Sequence, residues 1–297
     1  MLVLLADGGS TKIHWQLRLD DDVIHEFRST GVNPAVMAED MVGELMTAAL
    51  HTGLATVALP EPLHEVRYYG AGCKGEACEV VRRVIGRALA QIGSADVAVI
   101  VGSDMLGTCA GLLGDNPGVS CILGTGANSC LYDGRAIVAN TPPMGFILGD
   151  EGSGTWLGKR LLADRFKGLL PKTLAEAFDR RFRLTESEAI RKVYRPTDAD
   201  GAPNRFLASL VPFISENISH PAMEAIVREG FQAFVSRNLM AYFDPGLLAA
   251  CGVTDSRELR VCCSGGVAYA FRDILAEVLR ANRLTPGIIA PSPFSRL

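Results

Sequence analysis

The stretch Asp7-Gly8-Gly9-Ser10-Thr11-Lys12 decides how this chain is interpreted. It follows the apolar run 2–6 and precedes the alternating segment 13–19, a pattern of strand, tight glycine turn and strand. Glycines bring backbone N–H groups close to a phosphate, because they carry no Cβ and accept positive φ. The hydroxyls, the lysine charge and the aspartate carboxylate of the stretch suit a phosphate and its metal ion. A plain β-hairpin turn with an incidental lysine is the alternative at this point.

The same pattern returns in the second half of the chain. The apolar segment 119–123 precedes the turn Gly124-Thr125-Gly126-Ala127-Asn128-Ser129, and a hairpin follows around Asp133-Gly134. Each half has the order strand, turn, strand, strand, helix, strand, helix, which duplicates topology without duplicating sequence. We therefore predict an α/β protein whose two halves face each other across a central cleft, each with one phosphate-type loop.

The composition is that of a globular protein and disfavours several classes of function. The 297 residues include 33 acidic and 29 basic side chains, and this near balance disfavours a nucleic-acid or anionic-membrane surface. No apolar run reaches the roughly 20 residues that span a bilayer, and the N-terminus lacks the pattern of a secretory signal. The eight cysteines form no CxxC pair, as in reduced core thiols. We expect a cytoplasmic protein.

The alternation of strands and helices indicates the domain boundaries. We expect a first domain over 1–113 and a second over 114–285, with a mainly helical insertion over about 153–245. The continuous apolar run 97–101 predicts a buried central strand. Helices are predicted over about 34–51, 76–92, 104–113, 153–170 and 267–282.

Further motifs occur in order along nearly the whole chain. They are GVNP at 31–34, GAGC at 70–73, GSD at 102–104, GFILGDEGSG at 145–154 and SGGVA at 264–268. With the two turns, this set resembles the actin, hexokinase and Hsp70 superfamily of ATP-dependent phosphotransferases. Within it, the chain is similar to the BadF/BadG/BcrA/BcrD-type ATPases, whose best-understood members are N-acetylglucosamine kinases. The resemblance implies two ribonuclease-H-like (actin-like ATPase) domains, with 286–297 as a candidate for a return to the first domain.

The resemblance also implies where ATP and Mg²⁺ bind. Residues 7–12 match the family's first phosphate loop, with Asp7 holding Mg²⁺ through water. Three residues match the second phosphate loop: Gly124, Thr125 and Gly126. Four match the adenosine motif, in which glycines let the nucleotide lie against a helix start: Ser264, Gly265, Gly266 and Val267. A strand-to-helix turn that needs small residues is the alternative for the adenosine motif.

Asp104 matches the family's catalytic base. A sugar hydroxyl must lose a proton as it attacks the γ-phosphoryl group, and a positioned carboxylate can accept that proton. The alternative is that Asp104 only caps the helix that begins there.

Two residues match the family's sugar contacts, Asn33 and Gly145. Asn128 lies just past the second loop, within reach of a sugar hydroxyl. Asp150, in a glycine-rich turn before a helix, is a candidate sugar or metal-water ligand, and an acidic first turn of that helix is the alternative. Asn33 is also a candidate N-cap, with Pro34 at the first helical position. Glu151 fits better as an acidic residue in the first turn of a helix, where it complements the helix dipole.

These observations favour a sugar kinase that uses Mg-ATP and an amino sugar, most simply N-acetylglucosamine, and that forms a homodimer as relatives do. The family's other branch is an alternative: an ATPase activator of a CoA-ester dehydratase or reductase, whose cysteines hold an iron–sulfur cluster between subunits. Cys121 and Cys130 flank the second loop and keep this alternative open. A non-catalytic nucleotide switch is the third hypothesis.

Overall fold

The structure is a computed structural model that describes residues 1–9, 12–20, 22–94 and 96–293. The chain divides into two compact units, Met1–Gly107 and Thr108–Leu297. The division falls inside the helix that we expected to end the first domain.

The first unit is built on a five-stranded sheet. Its strands are β1 (Leu2–Gly8), β2 (Lys12–Leu19), β3 (Asp22–Thr30), β4 (Leu63–Gly70) and β5 (Ala98–Ser103), in the spatial order β3-β2-β1-β4-β5. The first three strands pair antiparallel, whereas β4 runs parallel to β1 and β5 runs parallel to β4. The helices are α1 (Glu39–Leu54), α2 (Glu76–Gln91) and α3 (Asp104–Leu113).

The second unit repeats this topology. Its strands are β6 (Gly118–Leu123), β7 (Ala127–Tyr132), β8 (Ile137–Ala139), β9 (Arg260–Ser264) and β10 (Thr285–Ala290), in the order β10-β9-β6-β7-β8. Again the first three strands pair antiparallel and the last two run parallel to the first. The predicted α/β fold with duplicated topology is confirmed.

The chain between β8 and β9 is mainly helical, as predicted for an insertion. Its helices are α4 (Gly145–Leu148), α5 (Gly154–Phe166), α6 (Lys172–Phe182), α7 (Glu186–Tyr194), α8 (Pro203–Ala208), α9 (Val211–Glu216), α10 (Pro221–Phe234) and α11 (Pro245–Ala250). A π-helical turn, Val235–Leu239, continues α10. Two helices, α12 (Gly266–Ala270) and α13 (Arg272–Ala281), connect β9 to β10. Every described helix falls short of the length or the apolarity that crossing a membrane requires.

Several sequence-based boundaries were wrong for identifiable reasons. Helix α1 begins at Glu39, because the carbonyl of Asn33 accepts hydrogen bonds from the amides of Val36 and Met37 and closes a separate turn. Asn33 is therefore not the N-cap of this helix. The predicted helix over 267–282 is broken at Phe271, whose non-helical backbone accompanies a buried ring.

Two strand assignments also need correction. The run 97–101 was expected to be a central strand, but β5 lies at the edge of its sheet and Ile100 is 44% exposed. Segment 286–290 lies in β10, paired with β9, and does not return to the first unit. The rest of that candidate return includes 294–297, which lie outside the described residues.

Candidate functional site

In the first unit, the site candidates lie where the parallel strands end. Gly8, Gly70 and Ser103 form a row across β1, β4 and β5, because each is the register partner of the next. Asp7 immediately precedes this row on β1, and Asp104 immediately follows it as the first residue of α3. The carboxyl ends of parallel strands are the usual binding edge of α/β sheets, so the two carboxylates lie where a ligand is expected.

Ser103, and not Asp104, caps α3. The hydroxyl of Ser103 accepts a hydrogen bond from the amide of Leu106 at 3.1 Å, as an N-cap does. Asp104 Oδ1 accepts from the amide of Met105 at 2.8 Å. Because another residue fills the capping position, capping alone does not account for Asp104.

Burial raises the pKa of Asp104 above its usual value. The amide of Met105 and the charge of Lys74 oppose this increase in pKa, since both favour the ionised form. A half-buried carboxylate with a raised pKa is a better proton acceptor than an exposed one, provided that it is ionised.

The first glycine turn is closed by a backbone hydrogen bond from the amide of Gly9 to the carbonyl of Lys12, at 2.9 Å. Ser10 and Thr11 lie outside the described residues. The structure gives Gly8 a packing role: a Cβ there would lie 2.2 Å from the hydroxyl oxygen of Tyr68. The absence of a side chain at this position is required by the neighbouring ring.

Asn33 lies beside the GAGC turn. A Cβ at Gly72, whose φ is +78°, would lie 2.0 Å from Asn33 Oδ1, and that oxygen accepts from the amide of Ala35 at 3.1 Å. Cys73 follows in the same turn, and burial raises the pKa of its thiol to about 12, which disfavours a reactive thiolate.

In the second unit, the turn Gly124–Gly126 is held by the start of α5. The carbonyls of Gly124 and Thr125 accept from the amides of Gly154 and Thr155 at 2.8 and 3.0 Å. A Cβ at Gly124 would meet no atom within 4 Å. The turn is therefore fixed from one side and open at Gly124.

Asp150 lies directly behind this turn. Its Oδ1 accepts from the amide of Ala127 at 3.2 Å, and its Oδ2 would lie 3.0 Å from a Cβ at Gly126. Burial raises the pKa of Asp150, while the Ala127 amide and the Lys159 charge oppose that increase. The structure thus brings together Asp150 and the second loop, which the sequence assigned to different substrates.

The adenosine-motif candidates also lie against the second turn. A Cβ at Gly265, whose φ is +111°, would lie 2.4 Å from the carbonyl oxygen of Leu123. Ser264 and Val267 are buried on either side of this turn, and Gly266 is the first residue of α12. The strand-to-helix turn therefore needs a glycine at 265 for structural reasons alone.

The remaining sugar candidates lie near the same edge of the second unit. Asn128 Oδ1 accepts from the side-chain amide of Asn140 at 3.0 Å. Gly145 begins α4 with a φ of +71°, and its carbonyl accepts from the amide of Gly149, which precedes Asp150.

Two basic residues in this region were missed by sequence reasoning. Arg237, in the π-helical turn, pairs with Glu151 at 2.7 Å, and the side-chain amide of Asn238 donates to the same carboxylate. Lys159 of α5 donates to the carbonyl of Phe146, and burial lowers its pKa. Arg237 is distant from Glu151 in the sequence, so no local pattern could have indicated the pair.

The chain has extensive similarity to one solved structure. It is 34% identical to the "putative N-acetylglucosamine kinase" from Porphyromonas gingivalis, over 98% of this chain and 95% of that one, with a TM-score of 0.86. At this identity and coverage, the chain belongs to the same family as that protein.

More distant structures share the fold. A Chromobacterium violaceum protein with the same description is 21% identical over 96% of this chain and 94% of its own, with a TM-score of 0.67. A ROK-family glucokinase from Streptomyces griseus, in complex with glucose and AMPPNP, is 17% identical over 98% and 93%, with a TM-score of 0.52. No protein-family model and no curated protein matches the chain. These neighbours are sugar-kinase structures of the two-domain actin-like ATPase fold, which supports an enzyme of the kinase kind.

Proposed function

We propose that this protein is an ATP-dependent kinase of an amino sugar, most simply N-acetylglucosamine. The observation that carries the proposal is the 34% identity, over 98% of the chain, to the Porphyromonas gingivalis protein described by that activity. The reaction transfers the γ-phosphoryl group of ATP to a sugar hydroxyl and releases ADP and a proton.

Asp104 is the general base of the proposed reaction. It is half-buried at the carboxyl edge of the first sheet. Ser103 caps α3, so capping does not explain why an aspartate occurs at position 104. Its carboxylate accepts the proton of the attacking sugar hydroxyl as the new P–O bond forms, a contribution that is typically worth about 10²- to 10⁴-fold in rate.

The nucleotide is proposed to bind the two glycine turns and the adenosine motif. The open space at Gly124 and the fixed backbone of its turn support this assignment, because a phosphate needs close, preorganised N–H donors. AMPPNP in the Streptomyces griseus glucokinase, which shares the fold, is consistent with it.

Asp7 fits the requirements of a magnesium site. Mg²⁺ is commonly held by one or two carboxylates, substrate phosphates and water, and Asp7 supplies one such carboxylate at the end of β1. When bound, the ion would screen the charge of the phosphates.

The sugar is proposed to contact Asn33, Asn128, Gly145 and Asp150. Amide and carboxylate side chains hydrogen-bond sugar hydroxyls, and the backbone of a glycine lets a ring approach closely. Asp150 would link the bound sugar to the second loop, because its carboxylate also accepts a hydrogen bond from the amide of Ala127 behind that loop.

The burial of the cysteines gives no support to the iron–sulfur alternative. Cys121 and Cys130 are fully buried, and Cys130 Sγ lies 3.4 Å from Cys109 Sγ inside the second unit. A cluster shared between subunits requires cysteines at a surface, and these two do not reach one.

The proposal is tested by measuring ADP release from Mg-ATP with a panel of amino sugars and hexoses, for the wild type and Asp104→Asn. We expect turnover that depends on one amino sugar and falls by more than about 100-fold in the variant. The variant is isosteric, so it keeps the shape of the site while removing the base.

Three other results would each contradict a stated part of the proposal. Sugar-independent hydrolysis would favour an activator or a switch, and iron analysis would then separate these two. Turnover with hexoses alone would retain the kinase and reject the amino sugar. Full activity of Asp104→Asn would reject Asp104 as the base.

A further inference from the structure

The segment between Pro143 and Asp150 forms a short loop in the second unit, with α4 at its tip. The amide of Asp150 donates to the carbonyl of Pro143 at 2.9 Å and closes the base of this loop. The amide of Gly149 donates to the carbonyl of Gly145 at 2.8 Å and closes the single turn of α4. The loop therefore joins Gly145 to Asp150, which are two of the proposed sugar contacts.

The backbone of this loop needs support from the rest of the unit. Met144 and Asp150 have φ values of +61° and +55°, in the left-handed region that residues with a side chain rarely adopt. Such conformations persist where the surrounding structure holds them. The tip itself is poorly buried, since Ile147 and Leu148 are 74% and 69% exposed, and the Phe146 ring packs only partly against the core.

Lys159 of α5 supplies a further attachment for the tip. Its ammonium group donates a hydrogen bond to the carbonyl of Phe146. This carbonyl belongs to the last turn of α4, where carbonyl groups lack partners within the helix and a cation is favourable. Helix α5 also holds the second glycine turn through the amides of Gly154 and Thr155. Lys159 therefore fixes the loop to the same helix that fixes this turn.

Lys159 also interacts with the acidic end of the loop. Burial lowers the pKa of its ammonium group, and the charges of Asp150 and Glu151 oppose that decrease. The charge of Lys159 in turn opposes the increase in the pKa of Asp150 that burial causes. One cation thus acts on the tip of the loop by a hydrogen bond and on its end by charge.

We propose that Lys159 is a positioning residue for the sugar, whose ammonium group holds Gly145 and Asp150 in place by fixing the loop between them. The inference rests on the proposed function, since it assigns Lys159 to support two contacts of that sugar site. Lys159 itself does not touch the sugar and transfers no proton. A loop that is fixed in advance loses less conformational freedom when a ligand binds, so the effect falls on sugar affinity.

The kinetic test compares Lys159→Met with the wild type in ADP release from Mg-ATP and N-acetylglucosamine. Methionine keeps an unbranched side chain but removes the charge and the N–H donors. We expect KM for the sugar to rise by about tenfold, with kcat and KM for ATP within about threefold. Lys159→Arg keeps a cation with donors and should restore most of the sugar affinity. Lys167→Met removes an exposed lysine just after the same helix and is the matched control, with wild-type kinetics expected.

Hydrogen exchange tests the loop without any turnover. The amides of Gly149 and Asp150 are protected by the two bonds that close the loop, and we expect them to exchange about tenfold faster in Lys159→Met. Exchange in β6 should stay at the wild-type rate, because a general loss of stability would accelerate both regions. Lys159→Arg and Lys167→Met should exchange as the wild type does.

The two measurements can each overturn the inference. Unchanged exchange at Gly149 and Asp150 in Lys159→Met would reject Lys159 as the support of the loop. Faster exchange with an unchanged KM for the sugar, or an equal rise in both KM values, would reject its positioning role. Either result in an active wild type would leave the proposed function intact. Absence of sugar-dependent turnover in the wild type would reject the proposed function and the inference together.

Discussion

The two units share one strand order, but the turns after their first strands are supported differently. In the first unit, Gly8 lies against the side chain of Tyr68. In the second unit, Leu123 and Gly124 lie against the backbone of Gly265, and the space beside Gly124 itself is open. The two turns therefore contain glycine for different reasons. At Gly8 a side chain would collide with a neighbouring ring, whereas at Gly124 the backbone is left open to a ligand.

This difference has an energetic consequence. A side chain such as Tyr68 can shift when a neighbour grows, whereas a backbone carbonyl that belongs to a sheet cannot. Among Gly8, Gly124 and Gly265, we therefore expect substitution to destabilise the protein most at Gly265 and least at Gly124.

The largest stability effect is expected for Gly265→Ala. The new Cβ would lie 2.4 Å from the Leu123 carbonyl oxygen, at a φ of +111°. Strain and overpacking together should cost roughly 2–4 kcal/mol, measured by chemical denaturation. Gly266→Ala is the control, because its Cβ meets nothing within 4 Å and its stability should be unchanged. Equal destabilisation by Gly265→Ala and Gly266→Ala would show that contact with the Leu123 backbone does not determine the cost.

A smaller effect is expected for Gly8→Ala. Its Cβ would meet the Tyr68 hydroxyl oxygen at 2.2 Å, and repacking of the ring should hold the cost to about 1–3 kcal/mol. In a Tyr68→Phe background that oxygen is gone and the nearest remaining ring atom is at 2.6 Å, so the cost should be lower.

Gly124→Ala is the counterpart in the second unit. Its free energy of unfolding should stay within about 0.5 kcal/mol of the wild type, while KM for ATP rises if a phosphate approaches this turn. A destabilisation as large as that of Gly8→Ala would show that both turns are constrained by packing.

The smallest effect concerns the pH dependence of stability. Burial raises the folded-state pKa of Asp104, so its contribution to stability is full below the unfolded pKa and is lost as pH rises through the folded one. Asp104→Asn should therefore melt at a higher temperature than the wild type at pH 7, and this gain should shrink towards pH 3.

Exposed Asp115→Asn is the control for this measurement, since its melting temperature should follow the wild type at both pH values. A constant gain for Asp104→Asn across the pH range would mean that ionisation of the carboxylate is not its cause. Asp104→Asn should also be inactive, so its gain in stability would accompany a loss of function.

Local sequence patterns predicted most of the elements. Helices α2 and α3 lie within one residue of the predicted ranges, and both glycine turns lie between the predicted strands. Such signals act over a few residues, and they survive in the tertiary structure when no distant group overrides them.

The errors occurred where distant groups intervene. The run 97–101 is as apolar as a central strand, but strand order decides which strand lies at an edge. The pairs Glu151 with Arg237 and Gly8 with Tyr68 join residues that are far apart in the sequence, so local patterns carried no sign of either.

The sequence by itself determined the α/β class, the repeated topology and the candidate residues at the strand ends, because periodicity and turn chemistry are local properties. Only the tertiary structure decided that Ser103 caps α3, that Asp150 supports the second loop and that Tyr68 lies behind the first. These roles depend on distances across the folded chain, and such distances exist only once the strands have paired.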